Sequence, residues 1–174
     1  MIKRTHRRIY GISFTVLLAG AVCMCGAIAQ QGNWVGSWAT SVQIPEPQNA
    51  LSPADLTDAT LRQIVHLSLG GKTLRVHLSN AFGTSVLHLT SVHIARPVSP
   101  ASSAIDPASD KALLFSGSPD VLIPPGAQYV SDPIDFPAAA LSDVAISFHL
   151  DSPPARQTGH PGSRATTYIA QGDV

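Results

Sequence analysis

Residues Thr60 to Leu78 carry the pattern that most restricts the fold of this chain: two alternating runs separated by a pair of glycines. In TLRQIVHLSL, Leu61, Gln63, Val65, Leu67 and Leu69 fall on one face, and Arg62, Ile64, His66 and Ser68 on the other. After Gly70-Gly71 the alternation resumes, with Leu74, Val76 and Leu78 opposed to Arg75 and His77. A period of two is the signature of a half-buried strand, and glycine tolerates the positive φ of a tight turn. The pattern therefore predicts a β-hairpin that turns at Gly70-Gly71. In such a hairpin His66 and His77 become near cross-strand neighbours.

The same reading extends along the chain. Strands are expected at Trp34 to Val42, Ser85 to Ala95, Lys111 to Ser116, Asp120 to Ile123, Ala127 to Ile134, Ala145 to Leu150 and Ala165 to Ile169. Turn-forming residues separate them at Ser116-Gly117-Ser118-Pro119, Pro124-Pro125-Gly126 and Ser152-Pro153-Pro154. Pro97 to Pro107 lacks clustered charge and reads as a surface loop. Helical periodicity is weak, with Pro53 to Ala59 and Pro137 to Leu141 suited to a turn or two. Many short strands with this punctuation predict an all-β domain of β-sandwich or jelly-roll type.

The N-terminus reads as an address. Lys3, Arg4, Arg7 and Arg8 precede an apolar run from Ile12 to Cys25, and Ala27-Ile28-Ala29 offers the small-x-small pattern of a cleavage site. The run is short for a bilayer span of ~20 residues. The expectation is a cleavable signal peptide over 1–29, a mature domain over 30–174, and a secreted or periplasmic product without a membrane anchor. His6 before Arg7-Arg8 and loose flanks favour general secretion over the twin-arginine route.

Removing residues 1–29 changes the charge. All 11 acidic residues lie beyond Ala29 but only seven of the 11 basic ones do, which leaves an acidic domain. Such a balance argues against a nucleic-acid partner. Both cysteines lie in the leader, so the remaining residues must be held by a core rather than by disulfides.

Several side chains invite a chemical reading. His66, His77, His88, His93 and His149 lie on expected strands, but two imidazoles in one hairpin fall short of the four ligands of a closed zinc site. No metal and no cofactor is expected. His160 and Ser163 in GHPGSRAT, with Asp151 upstream, hold the residue types of a catalytic triad, whose test is spatial. Trp34 and Trp38 would share one face of a strand, an arrangement that suits packing better than sugar stacking.

Four separated blocks, WVGSWATS from Trp34, TLRQIVHLSLGGKTLRVHLSNAFG, VLIPPGAQYVSDPI and HPGSRATTYIAQGD, occur in this order. Together they resemble the N-terminal, β-rich portion of bacterial SGNH/GDSL-type ester hydrolases of the xylan-esterase-like branch. In that family a Gly-Asp-Ser nucleophile block, an oxyanion-hole Gly and Asn and a late Asp-x-x-His follow on an α/β domain. Here Gly172-Asp173 is followed by Val174, so no catalytic position carries over. The resemblance implies an accessory portion with no hydrolytic activity of its own. Its partner would be a catalytic α/β SGNH domain acting on acyl esters such as those of plant-type polysaccharide. Asn80 and Phe82, in the Asn80-Ala81-Phe82-Gly83 block, and His160 are the residues it places at the rim of a substrate cleft. Turn formation is the favoured reading of the Asn80 block, because Asn80, Phe82 and Gly83 all suit a turn. The alternatives are a stand-alone secreted carbohydrate-binding module, which a jelly roll would suit, and a surface interaction protein without a small ligand.

Overall fold

Alternation does build a strand at Ala59–His66 (β1), but not the hairpin expected of it. The computed structural model describes residues 33–174; the expected signal peptide lies outside them. Within Val35–Val174, which forms one compact unit, β1 pairs antiparallel with Asp143–Leu150 (β10) on one side and Thr166–Gln171 (β11) on the other. The second run breaks into Gly71–Leu74 (β2) and His77–Ser79 (β3). β2 pairs with Ile134–Ala138 (β9), and β3 with Gln128–Val130 (β8).

Gly70 explains why the hairpin fails. A β-carbon there would come within 2.5 Å of the Ala138 carbonyl oxygen and 2.6 Å of the Ala140 nitrogen. Neither Gly70 nor Gly71 is among the positive-φ residues. Gly70 thus serves close approach of two backbones rather than a tight turn. The chain leaves β1, passes against the 138–140 segment and enters a different sheet. His66 and His77 are consequently in separate sheets, with His66 opposite Asp143 and His77 opposite Val130.

The remaining strands are short. Leu87–Leu89 (β4) pairs with Val121–Ile123 (β7), while Ser91–Ala95 (β5) pairs with β10 and with Lys111–Ala112 (β6). The described residues therefore form an all-β domain of antiparallel sheets: a five-stranded sheet of order β11-β1-β10-β5-β6 and three two-stranded ladders.

Alternation assigns the faces. Leu61, Val65, Val92, Ile94, Val144, Ile146 and Leu150 of the large sheet share one core cluster with Leu78, Leu89, Val121, Ile123 and Phe136 of the ladders. The other face of the sheet carries Thr60, Arg62, His93, Ser147 and His149. Burial of the apolar set stabilises the fold by roughly 1.5–3 kcal/mol per large side chain.

Three local expectations are corrected. Trp34 to Val42 forms no strand; Ser37 instead bonds to Ser68 and Leu69, and Gln43 makes an isolated bridge to Gly159. Trp34 and Trp38 remain 48% and 37% exposed. Pro137 lies within β9 rather than in a helical turn, at a ladder edge where proline is tolerated. At Lys111 to Ser116 only two residues join a ladder. The chain then closes through a Phe115–Ser118 bridge over Ser116 and Gly117, both at positive φ as a type I′ turn requires. Pro53–Leu56 is a 3-10 turn in which Ser52 and Asp55 form a capping box.

Candidate functional site

One end of the outer face of the five-stranded sheet is polar, beside a buried apolar row of Ile64, Ala145 and Ala95 on the same face. Thr60 and Arg62 come from β1, Ser147 and His149 from β10, and Ser91 and His93 from β5. Register places Arg62 opposite Ser147, Ser147 opposite His93, and His149 opposite Ser91. The segment Gly172 to Val174 crosses this face: Thr60 Oγ1 donates to the Gly172 carbonyl (2.6 Å) and Val174 N–H to Thr60 Oγ1 (3.2 Å). Between them lies a cavity of about 290 Å³ lined by Arg62, His93, Asp110, Ser147, His149 and Asp173, among others.

Its groups are largely committed to one another. Arg62 donates to Ser147 Oγ (2.7 Å), the Ser103 carbonyl (2.7 Å) and the main-chain oxygen of Val174 (3.1 Å). His93 Nδ1 meets Asp110 (2.9 Å), and Ser91 donates to Asp173 (2.9 Å). His149 is buried and bonded at both ring nitrogens, Nδ1 to Thr90 Oγ1 (2.5 Å) and Nε2 to Asp58 (3.1 Å).

Hydroxyl, imidazole and carboxylate in sequence are the parts of a hydrolytic triad. Their placement is not that of one. Only the imidazole lines the cavity; Thr90 and Asp58 stand outside its lining. A nucleophile must face the space its substrate occupies. The chain was not evident from spacing, because Asp58, Thr90 and His149 are far apart in sequence. Alternation in Ile146 to Leu150 does assign His149 to the polar face once β1 and β5 flank it.

The three residues expected at a cleft rim differ in placement. Asn80 is 1% exposed, and its amide nitrogen donates to the carbonyls of Ser85 and Ile123 (both 2.9 Å). Its backbone carbonyl accepts from Gly83 and Gly126. Asn80 is thus an internal tie between two turns, with no polar hydrogen directed outward to a ligand. Phe82 is half-buried; its N–H donates to Thr158 Oγ1 (3.0 Å) and its carbonyl accepts from Arg156 (2.5 Å). His160 is half-buried, with an Nδ1 that is shielded from solvent and has no hydrogen-bond partner. The 80–85 turn and the 155–158 segment therefore meet at one end of the domain.

The triad-like set His160, Ser163 and Asp151 does not assemble. Ser163 N–H closes a turn onto the His160 carbonyl, while Asp151 faces His88 at 3.4 Å. Asp120 flanks the same imidazole at 3.6 Å. Asp120 and Asp151 are both held below the usual carboxylate range, chiefly by hydrogen bonds from Ser118 and Ser152 respectively, with His88 adding to each.

A second concave region is apolar. Val98, Pro100, Phe136 and Ala139 help line a hollow of about 290 Å³ beside the 138–143 turn. At the tip of that turn Leu141 is 73% exposed and holds φ +55. Ser142 accepts from Leu67 N–H (2.8 Å), and Ser37 accepts from Ser68 N–H (3.1 Å). These bonds bring Val35, Trp38, Leu69 and Leu141 to one end of the large sheet, each more than a third exposed. Neither a family model nor a curated protein matches this chain.

Proposed function

We propose that this domain is the β-rich accessory portion of an exported SGNH/GDSL-type ester hydrolase, and that its apolar end docks the catalytic α/β domain. On this reading the large sheet and the three ladders are the two layers of a β-sandwich, which the core cluster common to both supports. The observation that carries the docking claim is the exposed set Val35, Trp38, Leu69 and Leu141. Concentrated apolar surface on a folded domain marks an interaction site. Leu141 adds weight, since a leucine at positive φ is strained and strain tends to persist where a displayed side chain is used. Polysaccharide would then be met by the assembled enzyme rather than by this portion alone.

A second reading, independent ester hydrolysis, draws on the Thr90–His149–Asp58 chain. The position of Thr90 outside the cavity lining weighs against it.

The test pairs two measurements on the purified chain. No turnover of p-nitrophenyl acetate is expected from the chain alone. A separately produced α/β domain of this class should bind it, and Leu141→Asp with Trp38→Ser should abolish that binding. Turnover lost on His149→Ala, or retention of the chain on insoluble xylan without the α/β domain, would replace the proposal.

A further inference from the structure

One side chain holds both coverings of the polar end of the large sheet. Arg62 Nε donates to Ser147 Oγ (2.7 Å), which aligns the guanidinium plane with β10. Its two outer nitrogens then reach separate segments. Nη1 donates to the Ser103 carbonyl (2.7 Å) and Nη2 to the main-chain oxygen of Val174 (3.1 Å).

Those segments come from different parts of the chain. The first leaves β5, where Pro97 makes an isolated bridge to Ile105. Val98 N–H donates to the Ala104 carbonyl (2.9 Å) and Ala104 N–H to Ser102 Oγ (3.0 Å), so residues 98–104 close on themselves as a flap. The second follows β11 and is pinned by Thr60 at Gly172 and Val174 and by Ser91 at Asp173. Ile105 beside the flap, and Asp173 and Val174 of the segment, line the cavity of about 290 Å³ above Thr60, Ser147 and His149. Among the described residues no hydrogen bond joins flap and segment directly; Arg62 is the partner they share.

We infer that the 98–104 flap and the 172–174 segment are the two halves of one lid over this cavity, latched by Arg62 and opening together. Two physical effects couple them. A guanidinium is a rigid planar fork, so a shift that follows one carbonyl draws the other nitrogen from its own. An arginine side chain also loses much rotational freedom when it is held. Once one carbonyl has ordered it, the other binds a group already in place. Lifting both halves frees both outer nitrogens of Arg62 at the cavity, whereas lifting one leaves the fork engaged.

The experiment is hydrogen–deuterium exchange of the full chain, read by mass spectrometry on peptides covering 97–106 and 168–174, with 119–130 as a reference. Thr60→Val removes a hydroxyl bonded to the 172–174 segment, and Ser102→Ala removes an oxygen bonded within the flap. Each should speed exchange in its own half and, about fivefold, in the other half, with the reference unchanged. Transmission should run in both directions, because coupling between two sites is reciprocal. In an Arg62→Gln background both halves should exchange faster and neither substitution should be transmitted. Acceleration confined to the substituted half overturns the inference, as does acceleration shared by the reference. Transmission that survives Arg62→Gln overturns it too. The two single variants decide the matter alone where Arg62→Gln fails to fold.

Discussion

The side-chain oxygen of Asn80 occupies the space that a β-carbon on Gly83 would need, so the two residues pack as one unit. Only glycine at 83 lets the Asn80 amide lie under its own turn while it donates to Ser85 and Ile123. Gly83→Ala should therefore destabilise the domain by about 1–3 kcal/mol through overpacking. Asn80→Ala should cost about 2–4 kcal/mol, since two buried carbonyls lose their donor. Asn80→Asp should be worse than either, because it turns a carboxylate oxygen toward those carbonyls. Urea titrations followed by circular dichroism measure all three.

Acid sensitivity should involve His88 and its two carboxylates. Asp120 and Asp151 have folded-state pKa values below their ordinary value, so the stability each contributes is complete above that value and is lost as pH falls through the lowered one. Stability measured from about pH 5 down to about pH 2 should decline through the carboxylate range. The Ser118→Ala and Ser152→Ala variants should flatten that decline, because those hydroxyls are the largest cause of each shift. Both carboxylates are exposed, so the effect is small, and an unchanged profile in the double variant would contradict the assignment.

Much of the fold was legible in sequence because alternation reports which face of a strand is buried. Leu61, Val65 and Leu67 are buried and His66 is exposed, as a period of two requires, whereas Ile64 on the His66 face is also buried and Leu69 on the Leu61 face is exposed. Pairing was not legible. Alternation is the same for a strand that pairs with its neighbour and one that pairs 80 or more positions away, as Leu61 does with Phe148. Gly70 misled for a related reason: the sequence records a missing side chain but not whether backbone conformation or a crossing strand requires it. Asn80 similarly reads as a turn residue, and only its burial reveals three elements converging on it. The His149 chain was hidden by the same long range.

Leu141 offers a test that separates stability from docking. A leucine at φ +55 costs ~1 kcal/mol relative to a residue at ease in that conformation. At 73% exposure its side chain contributes little to the core. Leu141→Asn should raise the unfolding free energy by about 0.5–1 kcal/mol. It should also weaken binding of a catalytic α/β domain. Stabilisation with binding unchanged would leave Leu141 without a role in docking.

The Thr90–His149–Asp58 chain should act as a clamp on β10. Thr90 N–H donates to the His149 carbonyl while its hydroxyl meets the same residue's Nδ1, so one threonine fixes both backbone and ring. Thr90→Val keeps the shape and removes the hydroxyl, which leaves a buried ring nitrogen without its partner. The expected cost is about 1–3 kcal/mol. His149→Phe removes the polar ring altogether and leaves no nitrogen to satisfy, so it should cost less than its larger change in chemistry suggests. A reactive assembly would order these variants by ester turnover; a clamp orders them by unfolding free energy, with Thr90→Val at or below His149→Phe. Measuring both quantities on both variants decides between the two roles.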